Sequence, residues 1–301
     1  MHLSWQLRFL NWQLRHLIKP QLRKTADPNA AQEALAFVAG MVFRQPPFLR
    51  HYVRAGGLHW FASGRCKPGK VILFFHGGGY VAGSPEIYSG MLGRLSRLSG
   101  IEVCAPRYRL AQAAPAPAAF DDCLVAWDAL QAQGFTPQDI VIGGDSAGGG
   151  LAMADLSALC QRGTPPTACF AFSPCVDFAL PGDSLSRNRD TDVILPVERF
   201  EQLAQIVPAG FDSQDPRISP LYADFPDCPP ILIQYSETEI LRDDALRMAK
   251  RVSQFGAQPQ LQAHPNAPHV WQLLDGWIPE ARASLRQAAN FAQDSLAETK
   301  R

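Results

Sequence analysis

Gly143-Gly144-Asp145-Ser146-Ala147-Gly148-Gly149-Gly150 follows directly on the apolar run Ile140-Val141-Ile142. An apolar run that breaks into glycines around one serine reads as a buried strand turning sharply into a helix. Within it, Gly144-Asp145-Ser146-Ala147-Gly148 fits G-x-S-x-G, the nucleophile elbow, whose serine sits on a strained turn with its hydroxyl aimed out of the sheet. Small neighbours let strand and helix approach closely enough to make that turn. One short stretch therefore proposes a fold, a nucleophile and a reaction class.

Outward from the elbow, strands are predicted at residues 58–62, 71–75, 101–105, 140–143, 168–172, 231–235 and 260–263. Helical stretches are predicted at 87–98, 118–133, 147–161, 241–255 and 277–297. Strand–helix alternation with short apolar strands argues for an α/β fold, a mostly parallel sheet covered by helices on both faces. Residues 175–228 break the alternation with six prolines and one helix-like piece at 197–206. A long insertion between core strands is usually functional, such as a lid.

The front end carries Leu3, Leu7, Leu10, Leu14 and Leu17 at helical spacing, widened by Trp5, Phe9 and Trp12 and interspersed with Arg8, Arg15, His16 and Lys19. Pro20 is the expected end of this helix. A second amphipathic segment spans 33–43. Two readings stand for the front end: a basic interfacial helix in weak contact with a membrane surface, or an apolar stripe over the mouth of a pocket.

A serine needs a base to take its proton, a carboxylate to orient that base, and donors for the oxyanion. His269 follows the last predicted strand in Pro265-Asn266-Ala267-Pro268-His269, a loop that leaves its imidazole free to reach Ser146. His264, five residues earlier, is the rival. The acid is expected in Ser236-Glu237-Thr238-Glu239, after the penultimate strand, with Glu239 and Glu237 as the candidates. Asp243 and Asp244 open the next helix, where carboxylates serve the macrodipole without a catalytic role. The order Ser146, Glu239, His269 is that of α/β-hydrolase triads. Oxyanion donors are expected from the amide of Ala147 and from His76-Gly77-Gly78-Gly79-Tyr80, again directly behind a strand.

Other chemistries find less support. No Gly-Lys-Ser/Thr or G-x-G-x-x-G follows a strand, so no phosphate-binding cofactor is expected. No H-E-x-x-H or paired Cys/His spacing suggests a metal. With 28 basic and 28 acidic residues among 301, net charge is zero, and no basic stripe points to nucleic acid. Seven cysteines, none in C-x-x-C, read as reduced buried thiols of a cytoplasmic protein. No signal peptide or membrane span is read from the sequence.

These residues resemble the hormone-sensitive lipase-like branch of the α/β-hydrolases, the bacterial esterases with an HGGG motif. The matching pieces are His76-Gly77-Gly78-Gly79-Tyr80, Tyr108-Arg109-Leu110-Ala111, the elbow with Gly149, Asp215-Pro216-Arg217-Ile218-Ser219-Pro220, and Leu241-Arg242-Asp243-Asp244 with Pro268-His269. The resemblance implies a serine carboxylesterase acting without a cofactor on short- to medium-chain acyl esters. It puts the nucleophile at Ser146, the base at His269 and the oxyanion amides at Gly78, Gly79 and Ala147. The acid falls on Glu239, where the family usually has aspartate. Gln112-Ala113 replace the family's Pro-Glu, and Val270-Trp271 replace Gly-Phe, so Trp271 is expected to narrow the substrate pocket. The resemblance also implies a cap built from residues 1–50 and an insertion near 180–220, on a catalytic domain spanning 51–301. A homodimer through the last strand and helix edge is implied in the same way. A lactone hydrolase or small-metabolite deacetylase with the same triad, and a catalytically inactive small-molecule binder, are the alternatives.

Overall fold

The computed structural model describes residues 3–25, 27–179 and 182–298. Residues 1, 2, 180 and 181, at the starts of the two expected cap segments, therefore lie outside the described residues. In chain order the strands are β1 (Leu49–Arg54), β2 (Leu58–Ser63), β3 (Val71–Phe75), β4 (Glu102–Ala105), β5 (Ile140–Asp145), β6 (Ala168–Phe172), β7 (Ile231–Ser236) and β8 (Gln260–His264). They form one sheet in the order β1-β2-β4-β3-β5-β6-β7-β8. The β1–β2 and β2–β4 pairs are antiparallel, and every other pair is parallel. The α/β fold expected from the sequence is the one found.

Side chains of a strand alternate between the two faces of the sheet, and the two cores follow that period. Val71, Leu73, Phe75, Ile140, Ile142, Ile231 and Ile233 enter one cluster; Ile72, Phe74, Val141 and Leu232 enter the other. The first face is covered by α5 (Ala118–Ala132), α6 (Ser146–Gln161) and α9 (Arg242–Ser253), the second by α4 (Ser89–Ser99) and α10 (Pro279–Glu298). Both faces being dry, these strands read as continuous apolar runs. β1 was not among the expected strands; its pattern is half-buried and exposed throughout. It starts at Leu49 and pairs with β2, so the boundary drawn at residue 50 falls inside a strand. β8 is the other edge, with Leu261 partly exposed, and is the edge to which the homodimer reading points.

The front end is α1 (Trp5–Gln13), a π-helical turn at Leu14–Ile18, α2 (Lys19–Lys24) and α3 (Pro28–Val42). The helix runs on through Pro20, which corrects the expected stop. A proline lacks the N–H of an α-helical bond and crowds the preceding turn. Here the wider turn just before it relieves the crowding, with Lys19 N–H bonded to the Leu14 carbonyl. The insertion carries α7 (Ser184–Arg187) and α8 (Val197–Ile206). Asp243 and Asp244, in the first turn of α9, fasten it to the core. Asp243 accepts from the Ser184 amide at 2.9 Å and Asp244 from the Val176 amide at 2.9 Å.

Candidate active site

β5 ends at Asp145 and α6 begins at Ser146, so the turn has no spare residue. Ser146 takes φ +51°, a left-handed conformation that costs a non-glycine residue energy and clusters at functional sites. Close approach explains the flanking glycines. A Cβ on Gly144 would lie 2.1 Å from the Gly148 carbonyl oxygen, and one on Gly148 would lie 2.1 Å from that of Phe75.

The glycine loop after β3 is held against this turn by one buried carboxylate. Asp145 accepts from the Gly77 amide at 2.9 Å and from the Tyr88 hydroxyl at 3.0 Å. Burial pushes the Asp145 carboxyl up to about 7, opposed by those two hydrogen bonds and the charge of His269. Gly78 has φ +115° and Gly79 φ +64°. Among the described residues, neither amide has an acceptor, and the Ala147 amide sits in the first turn of α6, where no carbonyl one turn back exists to take it. His76 stacks on Tyr108 with centroids 4.2 Å apart. Its Nδ1 lies 2.8 Å from the Gly77 carbonyl, and the Tyr108 hydroxyl donates to the His76 carbonyl at 2.7 Å. Burial lowers the His76 pKa to about 4. It is a neutral brace for the loop.

His269 lies 2.6 Å, through Nδ1, from Glu239 Oε2. The second Glu239 oxygen accepts from the Ser236 amide at 2.8 Å, and the residue is fully buried. Burial works against a charged imidazole, but the hydrogen bond and charge of Glu239, with Asp192 and Asp145 behind, outweigh it. The His269 pKa is raised above its ordinary value. The other ring nitrogen, Nε2, has no hydrogen-bond partner among the described residues. Ser146, His269, Gly78, Gly79 and Ala147 all line one cavity of about 290 Å³. The front end and the insertion add apolar walls: Leu22 of α2, Ala31 and Leu35 of α3, and Phe200, Leu203 and Ile206 of α8.

The chain matches the alpha/beta hydrolase fold family over residues 72–273. It belongs to the α/β-hydrolases. Within them it is similar to an esterase of the bacterial hormone-sensitive lipase family, with a TM-score of 0.90, 31% identity, and coverage of 98% of this chain and 100% of that one. An acetyl-hydrolase of Streptomyces hygroscopicus is 33% identical over 240 residues, 79% of this chain and 80% of the relative. An esterase of Acinetobacter venetianus is 28% identical over 291 residues, 96% of each. The branch is therefore the hormone-sensitive lipase-like one.

In this α/β-hydrolase the rival candidates for acid and base lie in different surroundings. Glu237 turns away to Arg242, at 2.6 Å, and to the Tyr235 hydroxyl. His264 packs against Trp271, accepts from the Asn266 amide at 3.2 Å and is not in the cavity wall. Trp271 does not narrow the pocket, contrary to expectation. The left-handed Val270 (φ +50°) turns the chain so that Val270 and Leu273 face the cavity, while Trp271 is buried beside Leu7, Ala267 and Ile278. Among the described residues no group of His, Cys, Asp and Glu is gathered as a metal site.

Asp192, on the insertion, went unnoticed in the sequence. It accepts from the Ile194 and Leu195 amides at 2.9 Å and the Ile240 amide at 3.0 Å, and its carbonyl accepts from Lys19 Nζ at 2.7 Å. It thus ties both cap pieces to the loop bearing Glu239. As one of several acids in a proline-rich insertion, it carries no local pattern that would have marked it.

Proposed function

We propose that the protein is a serine carboxylesterase that hydrolyses short- to medium-chain acyl esters through an acyl-enzyme on Ser146. The observation that carries this reading is that His269, paired with Glu239 behind it, faces the same cavity as a left-handed serine and as the Gly78 and Gly79 amides, which have no acceptor among the described residues. The esterase and acetyl-hydrolase names of its relatives support the same chemistry. A largely apolar cavity of about 290 Å³ favours acyl chains longer than acetyl.

Ser146 Oγ attacks the ester carbonyl carbon while its proton passes to His269 Nε2. Glu239 fixes the tautomer with the proton on Nδ1 and stabilises the imidazolium that forms. The amides of Gly78, Gly79 and Ala147 hold the negative oxygen of the tetrahedral intermediate, charge that develops only as the bond forms. Collapse breaks the carbonyl carbon–alkoxy bond. His269 Nε2–H protonates the leaving oxygen, and the alcohol departs. Water then attacks the acyl carbon, gives its proton to Nε2, and the second collapse returns that proton to Ser146 Oγ. All seven cysteines are free, which supports placing the enzyme in the reducing cytoplasm. Ser146→Ala is expected to abolish p-nitrophenyl butyrate hydrolysis; retained turnover would end the assignment. Esters of graded acyl length and several lactones then rank the substrate class.

A further inference from the structure

The leucines and the aromatics of the front helix form two opposite stripes. Successive helical residues are turned by about 100°. Trp5, Phe9 and Trp12 therefore share one side, and Leu7, Leu10 and Leu14 share the other. The leucine side is spent on the fold: Leu7 and Leu14 are buried, and Leu3, Leu7 and Leu10 pack with Ala267, Trp271 and Ile278. The aromatic side is left in water. Trp5 is 67% exposed, Phe9 55% and Trp12 55%, with Phe9 and Trp12 stacked at 6.4 Å. Leu17 is exposed as well, as are Phe37 and Met41 one turn apart on α3. Singly exposed apolar groups need no explanation, but a continuous aromatic stripe does.

The charge around the stripe selects its occupant. Residues 3–25 contain five Lys or Arg and no Asp or Glu, in a chain whose net charge is zero. Lys19 is bonded to the carbonyls of Arg189 and Asp192, and Arg23 pairs with Glu198. Arg8, Arg15 and Lys24 have no acidic partner among the described residues, and all three are exposed. A second copy seated on this face by two-fold symmetry would bring like cations together. An anionic bilayer surface meets both features: its headgroups attract Lys and Arg, and its interface takes up Trp and Phe.

We propose that α1 and α2 dock on the surface of a bilayer carrying anionic lipid, with Trp5, Phe9 and Trp12 inserted at the headgroup level. No helix among the described residues is long and apolar enough to cross a membrane, so the attachment is peripheral. Leu22 on α2 and Leu35 on α3 also wall the cavity of Ser146. Docking thus brings the substrate pocket beside the lipid, where apolar esters concentrate. That consequence rests on the ester-hydrolase reading; the docking itself does not.

The test is co-sedimentation with vesicles of phosphatidylcholine alone and of phosphatidylcholine mixed with phosphatidylglycerol, at low and high salt. Hydrolysis of soluble p-nitrophenyl butyrate is measured in parallel. The wild-type protein is expected to partition onto the anionic vesicles about ten-fold or more better than onto the neutral ones, and to be released by salt. Trp5→Ser/Phe9→Ser/Trp12→Ser should lose that binding while keeping soluble turnover. Arg8→Gln/Arg15→Gln/Lys24→Gln, which leaves all apolar packing in place, should lose the preference for anionic lipid. Wild-type protein that stays in the supernatant with anionic vesicles overturns the proposal, as does either variant, still active, that binds undiminished. Failure of soluble turnover in the wild type would instead strike the ester-hydrolase reading. A wild-type dimer by sedimentation velocity that the aromatic variant dissolves, without vesicle binding, would assign the face to a second copy.

Discussion

Glu239 is one methylene longer than an aspartate, and from that reach it places one oxygen 2.6 Å from His269 Nδ1 while the other is tied to the Ser236 amide. The raised His269 pKa has a kinetic consequence. The ring is a base only when neutral, so kcat/KM should rise with pH along a limb centred above about 6.5, the ordinary histidine value. Glu239→Gln removes the charge that raises this pKa. The limb should move to lower pH, and kcat should fall by about 10³–10⁴ as the tautomer is lost. Glu237→Gln should stay within a few-fold, since Glu237 is paired with Arg242. A pH–rate profile of the three proteins checks both. Asp155 on α6 poses a different problem, being fully buried with neither oxygen hydrogen-bonded among the described residues. Burial raises its pKa well above the usual carboxylate range. The native state therefore holds a proton that the unfolded chain loses above about pH 4, so stability falls as pH rises between the two pKa values. Asp155→Asn lacks this slope. Relative to wild type, it should gain about 1.4 kcal/mol per pH unit across that window in urea unfolding. The candidate nucleophile and base were legible because motif and loop marked them. Choosing Glu239 over Glu237 needed coordinates, since both lie in one four-residue turn and only the direction of each side chain separates them.

At the scale of elements, the elbow depends on missing side chains more than on those present. Gly148→Ala would set a Cβ 2.1 Å from the Phe75 carbonyl oxygen and 2.4 Å from that of His76, backbone atoms that cannot step aside. A loss of several kcal/mol, with a lower thermal midpoint and impaired turnover, is expected. Gly40→Ala is the control. It sits inside α3 with nothing within 4 Å of the added Cβ, and should stabilise by roughly 0.5–1 kcal/mol. Thermal melts of the two variants should therefore move in opposite directions. The central strands β3, β5, β6 and β7 were legible because they are dry on both faces and read as unbroken apolar runs. β1 was not, because Arg50, His51 and Arg54 leave an edge strand with no apolar face to recognise. The extension of the front helix past Pro20 was hidden for a related reason. A π-helical turn leaves no signature in composition, while the proline that it accommodates is a strong stop signal.

For the molecule as a whole, the sheet supplies a fixed reacting centre and the two cap pieces supply its surroundings. Glycine loop, elbow, acid turn and histidine loop all lie at the C-terminal ends of parallel strands, β3, β5, β7 and β8. The cap walls come from regions about 170 residues apart in sequence, α2 and α3 on one side and α8 on the other. They are joined through contacts such as Lys19 to Asp192 and Arg23 to Glu198. That meeting could not be read from local pattern, because each piece shows only its own amphipathic stripe and not its partner. The division of the front helix into a buried leucine side and an exposed aromatic side became visible for the same reason, once the fold had used one of them. The proposed reaction turns on Ser146 as a nucleophile activated by His269 and Glu239. Intact mass and peptide mapping after treatment with a fluorophosphonate test it most directly. One equivalent of adduct on Ser146, formed in step with loss of esterase activity and strongly slowed in His269→Ala, is the expected result. An adduct on another residue, or full activity with no adduct, would contradict it.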